Sequence, residues 1–216
     1  MKSLFASLLM LVAFTSSYAD TPQVPKEGTE YLATPQVMQT DNPAKIEVTE
    51  LFWYGCPHCY HLEPTLEAWV KKLPKDVEFK RVPGIARPEW VPMAKAYYTL
   101  EAFGLVDKLH GALFDAIHKQ RVLSQTADEA ALIDWITRQS GLDHKKVEDT
   151  FRSFSVTTKV SRAYQVFQTS GATGVPSLIV EGRYLTSSTL AGSTDDALRV
   201  TDYLIEKVRA EHTGKH

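Results

Sequence analysis

The sequence predicts an α/β sandwich interrupted by a block of helices. Three observations predict it. A strand, a helix and a second strand follow one another between Lys45 and Val82. From Pro88 to about Gly171 the pattern is wholly helical. After Gly174 come a strand hairpin and a closing helix. A strand-helix-strand half and a hairpin-helix half can share one sheet, with helices on its faces.

The first residues stand apart from that plan. Lys2 is followed by an apolar run, Leu4 to Phe14, and by the small-x-small triplet Ser17-Tyr18-Ala19. The run is too short for a resident membrane helix. The pattern reads as a secretory signal peptide, cleaved near Ala19 to leave Asp20 first; a buried N-terminal helix is the alternative. No cysteine follows the run, so nothing there supports a lipid anchor. After residue 19 no apolar stretch is long enough to span a bilayer. The 216 residues are 44% hydrophobic and 23% charged, which places the chain among globular proteins rather than disordered ones. A formal net charge of −2 without a basic cluster argues against a nucleic-acid partner.

The elements follow in order. Residues 20 to 44 are rich in Pro, Thr, Gln and Gly and read as an extended lead-in, with Glu30-Tyr31-Leu32 as a short edge strand. Lys45 to Tyr54 alternates: Ile46, Val48, Phe52 and Tyr54 on one face, Glu47, Thr49, Leu51 and Trp53 on the other. Its β-branched and aromatic content makes it a strand, and apolar residues on both faces make it a central one. Gly55 breaks it. A helix runs from Pro57 to about Lys72 on an apolar stripe of Leu62, Leu66, Trp69, Val70 and Leu73, with a kink expected at Pro64. Val77 to Val82 is the parallel partner strand. The helical block reads as Val91–Phe103, Val106–Lys119, Thr126–Ser140, Asp143–Phe151 and Val156–Thr169. Thr126 with Glu129 gives the third helix a capping box, and Gly141 stops it. Ser177 to Val180 and Arg183 to Leu185 form a hairpin about Glu181-Gly182. Ser193 to Val208 is the last helix, and Glu211 to His216 reads as frayed.

The chemistry concentrates in Cys56-Pro57-His58-Cys59, which holds both cysteines of the chain. An exported protein ordinarily uses cysteines as widely spaced staples. A bridge across so short a loop removes little unfolded-chain entropy, so this pair points to redox chemistry. Cys56 falls at a helix N-cap, where free N–H groups and the helix dipole favour a thiolate. Pro57 is pre-set for the first helical turn. His58 in the same turn further favours the Cys56 thiolate. Stabilising the reduced form makes the pair an oxidant of other thiols. Cys59 lies one turn on and is expected to be the buried resolving partner. Half of a zinc site is the competing reading, but there is no further cysteine, His61 faces away from Cys59, and His110 and His118 sit on a separate helix without ligand spacing. Glu50 shares the face of Ile46, Val48 and Phe52. Buried, it can exchange a proton with Cys59; at the rim, it is a solvated carboxylate. Val175-Pro176 is a candidate cis peptide that would present the Val175 backbone to an extended substrate, although trans is the commoner state.

Phe52 to Tyr60, together with Gly174-Val175-Pro176, resembles the bacterial periplasmic thiol:disulfide oxidoreductases of the DsbA family. The resemblance covers nearly the whole mature chain. It implies a thioredoxin-like fold with an inserted all-helical subdomain: signal peptide 1–19, thioredoxin-like parts 20–87 and 172–216, helical subdomain 88–171. It implies a monomer that donates its disulfide to reduced exported polypeptides in the periplasm, with Cys56 as the exposed thiolate, Cys59 resolving and Pro176 cis. Glu50 and Glu63 fall on acidic positions of the family. A DsbB-like, quinone-linked membrane oxidase is the implied partner, and no cofactor is implied. Gly55 departs from the aromatic or Ser/Thr residue usual before the first cysteine, which bears on groove shape and partner choice. A reductase or isomerase is a second reading, although residues 20–44 are too short for a dimerisation module. A peptide-binding chaperone, with Phe52, Trp53 and Tyr54 lining its groove, is a third.

Overall fold

The computed structural model describes residues 24–214; the expected signal peptide, residues 1–19, lies outside them. The sheet is organised on β2, Ile46–Phe52, which is buried along its whole length. It pairs in parallel with β3, Val77–Pro83, and antiparallel with β4, Ser177–Val180. β4 continues antiparallel to β5, Tyr184–Thr186, and β5 to β1, Tyr31–Ala33. The order is therefore β1-β5-β4-β2-β3. A strand with partners on both sides and helices on both faces needs apolar residues on both faces, which is the pattern its sequence carries.

Helix α1, Pro57–Val70, makes the crossover between the parallel strands and runs through Pro64 without a break. Its Leu62 and Leu66 pack with Val48, Leu178 and Val180 and with α8, Thr194–His212, through Val200, Leu204 and Val208. The helical block comprises α2 (Val91–Ala102), α3 (Val106–His118), α4 (Glu129–Ser140), α5 (His144–Phe151) and α6 (Phe154–Ser170). Its core is continuous with the C-terminal end of β2: Leu51, Phe52, Tyr54 and both cysteines join the cluster of Met93, Tyr97, Leu113 and Phe114. The block thus roofs the end of the strand from which the Cys-Pro-His-Cys turn emerges. No helix among the described residues is long and apolar enough to cross a membrane.

Three local expectations are corrected. The N-cap of α4 is Asp128, whose carboxylate accepts from the Ala131 N–H, and not Thr126. Glu129 pairs across to Lys95 on α2 instead of closing a capping box. Asp is as good a cap as Thr, and the tertiary pair decides the register. A short helix, α7 (Ser188–Ala191), capped by Ser187, lies in a stretch to which the sequence reading assigns no element. The last helix continues to His212, and Glu211 is held by Arg183 and Tyr184. Each buried aliphatic of α8 contributes about 1.5–3 kcal/mol, against under about 1 kcal/mol for a partly exposed ion pair, so the apolar face carries the helix and Glu211 only fastens its end.

Candidate active site

The strand-to-helix turn is closed by the Cys56 N–H, which donates to the Trp53 carbonyl at 2.9 Å. Cys56 is the N-cap of α1 with extended backbone, and Pro57 occupies the first turn. Gly55 is demanded by space. A Cβ there would lie 2.3 Å from the Trp53 ring and 2.5 Å from the Gln125 carbonyl oxygen. Gln125 belongs to the segment before α4, so a backbone of the helical block presses directly on the turn. Trp53 also stacks on Trp90, ring centroids 4.2 Å apart. His118 on α3 meets the Tyr54 carbonyl at 2.7 Å and stacks on Tyr60. Both α3 histidines, set apart from the site by the sequence reading, therefore border it.

The two thiols are unbridged and unequal. Cys56 keeps 7% of its surface exposed and Cys59 none. The hydrogen bond from Cys59 pulls the Cys56 thiol down to about 6, against the opposing effect of burial. The N–H groups of Cys59 and His58 and the charge of His58 add to the pull. Burial holds Cys59 well above the ordinary thiol value, reinforced by its bond to Cys56 and by the charge on Glu50. One sulfur is thus a thiolate near neutral pH and its partner a thiol. Pro57 and His58 are exposed beside them.

The Val175-Pro176 peptide is cis, and the Cys56 Sγ lies 3.5 Å from the Val175 carbonyl oxygen. Beside them runs a groove of about 460 Å³ lined by His58, His61, Val175, Pro176, Ser177 and Ser187. Cys56, His58 and the Val175-Pro176 pair, far apart in sequence, therefore form one edge.

Glu50 is completely buried, which settles its alternatives in favour of the interior. It stands opposite Arg81 in the β2–β3 register, with 3.2 Å between Arg81 Nε and a Glu50 oxygen, yet neither Glu50 oxygen makes a hydrogen bond. Arg81 directs its N–H groups to Glu63, at 3.3 and 3.0 Å, and to Glu67 at 3.2 Å. Burial lifts the Glu50 carboxyl to about 8, helped by the charge of Glu63 and opposed by Arg81. Burial also acts to raise Glu63, but the bonds from His110 and Arg81 outweigh it and hold that carboxyl below its usual value. The sequence reading sets His110 aside as a zinc ligand and does not name Arg81. The available signal was a histidine inside the apolar stripe Val106, Leu109, Leu113, Ile117 of α3.

A mixed sheet with a helical insertion, and a reactive–buried Cys pair at a helix N-terminus facing a cis-proline, define a thioredoxin-fold thiol:disulfide oxidoreductase. Residues 81–198 match the family model described as a DSBA-like thioredoxin domain. The Thiol:disulfide interchange protein DsbA of Burkholderia cepacia is 37% identical over 97% of this chain and 98% of its own length. That of Pseudomonas aeruginosa is 36% identical over 97% and 98%. The crystal structure of Pseudomonas aeruginosa DsbA superposes with a TM-score of 0.81 at 37% identity, covering 88% of this chain and 97% of that one. Oxidoreductase DsbA from Xylella fastidiosa does so with 0.82 at 30% identity, covering 87% and 100%. The chain belongs to the DsbA family of thiol:disulfide interchange proteins.

Proposed function

We propose that this chain is a periplasmic dithiol oxidase that donates its Cys56–Cys59 disulfide to reduced exported polypeptides. The observation that carries the reading is the inequality of the two sulfurs: Cys56 is pulled down to about 6 and Cys59 is held well above the ordinary thiol value. A disulfide whose outer sulfur leaves as a stable thiolate is easily reduced, and so oxidises other thiols.

In the cycle, a substrate thiolate attacks Cys56 Sγ. The Cys56–Cys59 bond breaks, and Cys59 leaves with the electron pair. Cys59 takes up a proton, for which Glu50 is the buried donor. A second substrate thiolate then attacks the substrate sulfur of the mixed disulfide, and Cys56 departs as thiolate. The substrate dithiol has lost two electrons and two protons; the protein pair has gained the electrons, Cys59 holds the proton that Glu50 gave up, Glu50 recovers one proton from solvent, and the other stays in solvent. Pro57 fixes the first helical turn, and His58 supports the Cys56 thiolate. The extended substrate chain lies along Val175 and Pro176, with its backbone against that edge.

Return to the disulfide form falls to a DsbB-like, quinone-linked membrane oxidase acting on Cys56. The protein works as a monomer, with residues 20–87 and 172–216 as the thioredoxin-like part and 88–171 as the helical subdomain, after cleavage near Ala19. The test is to add the oxidised protein to a reduced, unfolded substrate and follow disulfide formation. Acceleration over the uncatalysed rate is expected. A folded, oxidised protein that gives none would sink the reading.

A further inference from the structure

Beneath the cysteine pair the described residues hold a chain of polar contacts that a thiol exchange does not by itself require. Tyr54 Oη is 2.7 Å from His110 Nδ1, and His110 Nε2 is 3.0 Å from Glu63 Oε1. Glu63 in turn carries two bonds from Arg81, whose Nε stands beside Glu50. Tyr54, Glu50 and His110 are buried to 1%, 0% and 3% exposure, so no bulk water competes for these contacts.

The proton positions follow from the partners. An ionised Glu63 only accepts, so His110 Nε2 must carry the proton toward it. Burial pushes the imidazole down despite the pull of Glu63, so it is neutral near pH 7 and its Nδ1 must accept. Tyr54, whose phenol burial holds protonated, is the donor. One tautomer satisfies every member.

The groups facing Glu50 are then fixed. Glu63, Glu67 and Cys59 act on it from α1, Arg81 from β3, Tyr54 from the end of β2 and Tyr97 from α2, while His110 on α3 reaches it only through Glu63. Glu50 and Glu63 compete for one guanidinium in a site that disfavours two carboxylate charges. Between them they retain one proton, and the carboxyl with more donors is the one that stays ionised. Arg81 stands beside both but gives its hydrogen bonds to Glu63 and none to Glu50. Of the two carboxyls, His110 bonds only Glu63, and adds a third donor there.

We propose that His110 is a positioning residue that assigns this shared proton to Glu50. By occupying Glu63 it keeps Arg81 committed there, and it leaves Glu50 as the uncommitted acid beneath Cys59. The role rests on the oxidase reading for its use, but its test needs no turnover, so the two fail separately.

The experiment is a carbon-13 NMR titration of the glutamate carboxyls in the reduced protein, with Glu50→Gln to assign the Glu50 signal. His110→Phe preserves the edge-on ring contacts with Phe52 and Phe114 and removes both nitrogens. It should lower the Glu50 midpoint by about one unit, a tenfold loss of proton affinity, and raise that of Glu63. His110→Gln, which keeps an N–H for Glu63, should return the midpoint most of the way. Tyr54→Phe leaves the Nε2 contact intact and should leave it unchanged. If His110→Phe does not fold, Glu63→Gln must produce the same fall. A Glu50 midpoint unmoved by His110→Phe, or by Glu63→Gln where that serves instead, overturns the proposal. So does an equal shift in Tyr54→Phe, which would mark a general packing effect.

Discussion

Replacing Glu50 by Gln should stabilise the protein, and more so as the pH rises. Burial lifts this carboxyl from its ordinary 4.5 to about 8, with Glu63 adding to the effect and Arg81 opposing it. The folded state therefore keeps a proton that the unfolded chain releases above pH 4.5. Folding stability falls as the pH climbs from that value and levels off above pH 8. With those two values the cost is about 3 kcal/mol at pH 7 and under about 1 kcal/mol at pH 5. Gln has nearly the same shape and forfeits no hydrogen bond, because neither Glu50 oxygen makes one. Arg81 keeps Glu63 and Glu67. The assay is denaturant unfolding of the reduced protein and its Glu50→Gln variant between pH 5 and 8. The expected gap favours the variant by about 2–3 kcal/mol at pH 7, or roughly 5–10 °C in Tm for a chain of this size, and narrows toward pH 5. A gap that does not grow with pH, or a variant less stable at pH 8, would refute the reasoning that Glu50 is held neutral at a cost in stability.

Other outcomes follow from the same geometry. Given oxidised glutathione, Cys59→Ala should accumulate a mixed disulfide in which Cys56 Sγ has attacked the glutathione disulfide and released one glutathione thiolate, visible by intact-mass spectrometry, whereas Cys56→Ala should give none. Gly55→Ala drives a methyl into the Gln125 carbonyl and the Trp53 ring; it should cost about 2 kcal/mol by overpacking, and a wild-type melting curve would show that the contact yields freely. His58→Leu removes one of the charges that favour the thiolate, so the Cys56 midpoint should rise from about 6, as read by thiolate ultraviolet absorbance. An unchanged midpoint would mean that the Cys59 bond and the helix N–H groups act alone.

The core of the site was legible because it is local. The alternation of β2, the Cys-Pro-His-Cys turn and the stripe of α1 lie in one continuous stretch, and their periodicities determine which sulfur caps the helix and which is buried. The later Val175-Pro176 reads by itself only as a candidate cis peptide with trans the commoner state, and the resemblance is what favours cis, since nothing in its own sequence neighbourhood states that β4 lies beside β2. His110 and Arg81 escaped for the same reason. Arg81 reads as an ordinary strand residue until its register opposite Glu50 is known, and His110 reads as a polar interruption of a helix stripe until α3 packs on α1. Gly55 was read as a departure bearing on partner choice. The structure gives it a nearer cause, the approach of the Gln125 backbone, which no local pattern reveals. The cap of α4 was misplaced by two residues because Thr126 and Asp128 are both good caps, and only the Glu129–Lys95 pair distinguishes the registers.

The central claim is that the Cys56–Cys59 pair is an oxidant because its reduced form is stabilised at Cys56. The redox equilibrium of the pair against glutathione tests it most directly, with the two protein forms separated by alkylation and mass spectrometry. The account predicts that the pair is reduced almost completely even where oxidised glutathione predominates, because a thiolate held at about 6 favours the dithiol form. A disulfide that persists under a large excess of reduced glutathione would contradict it.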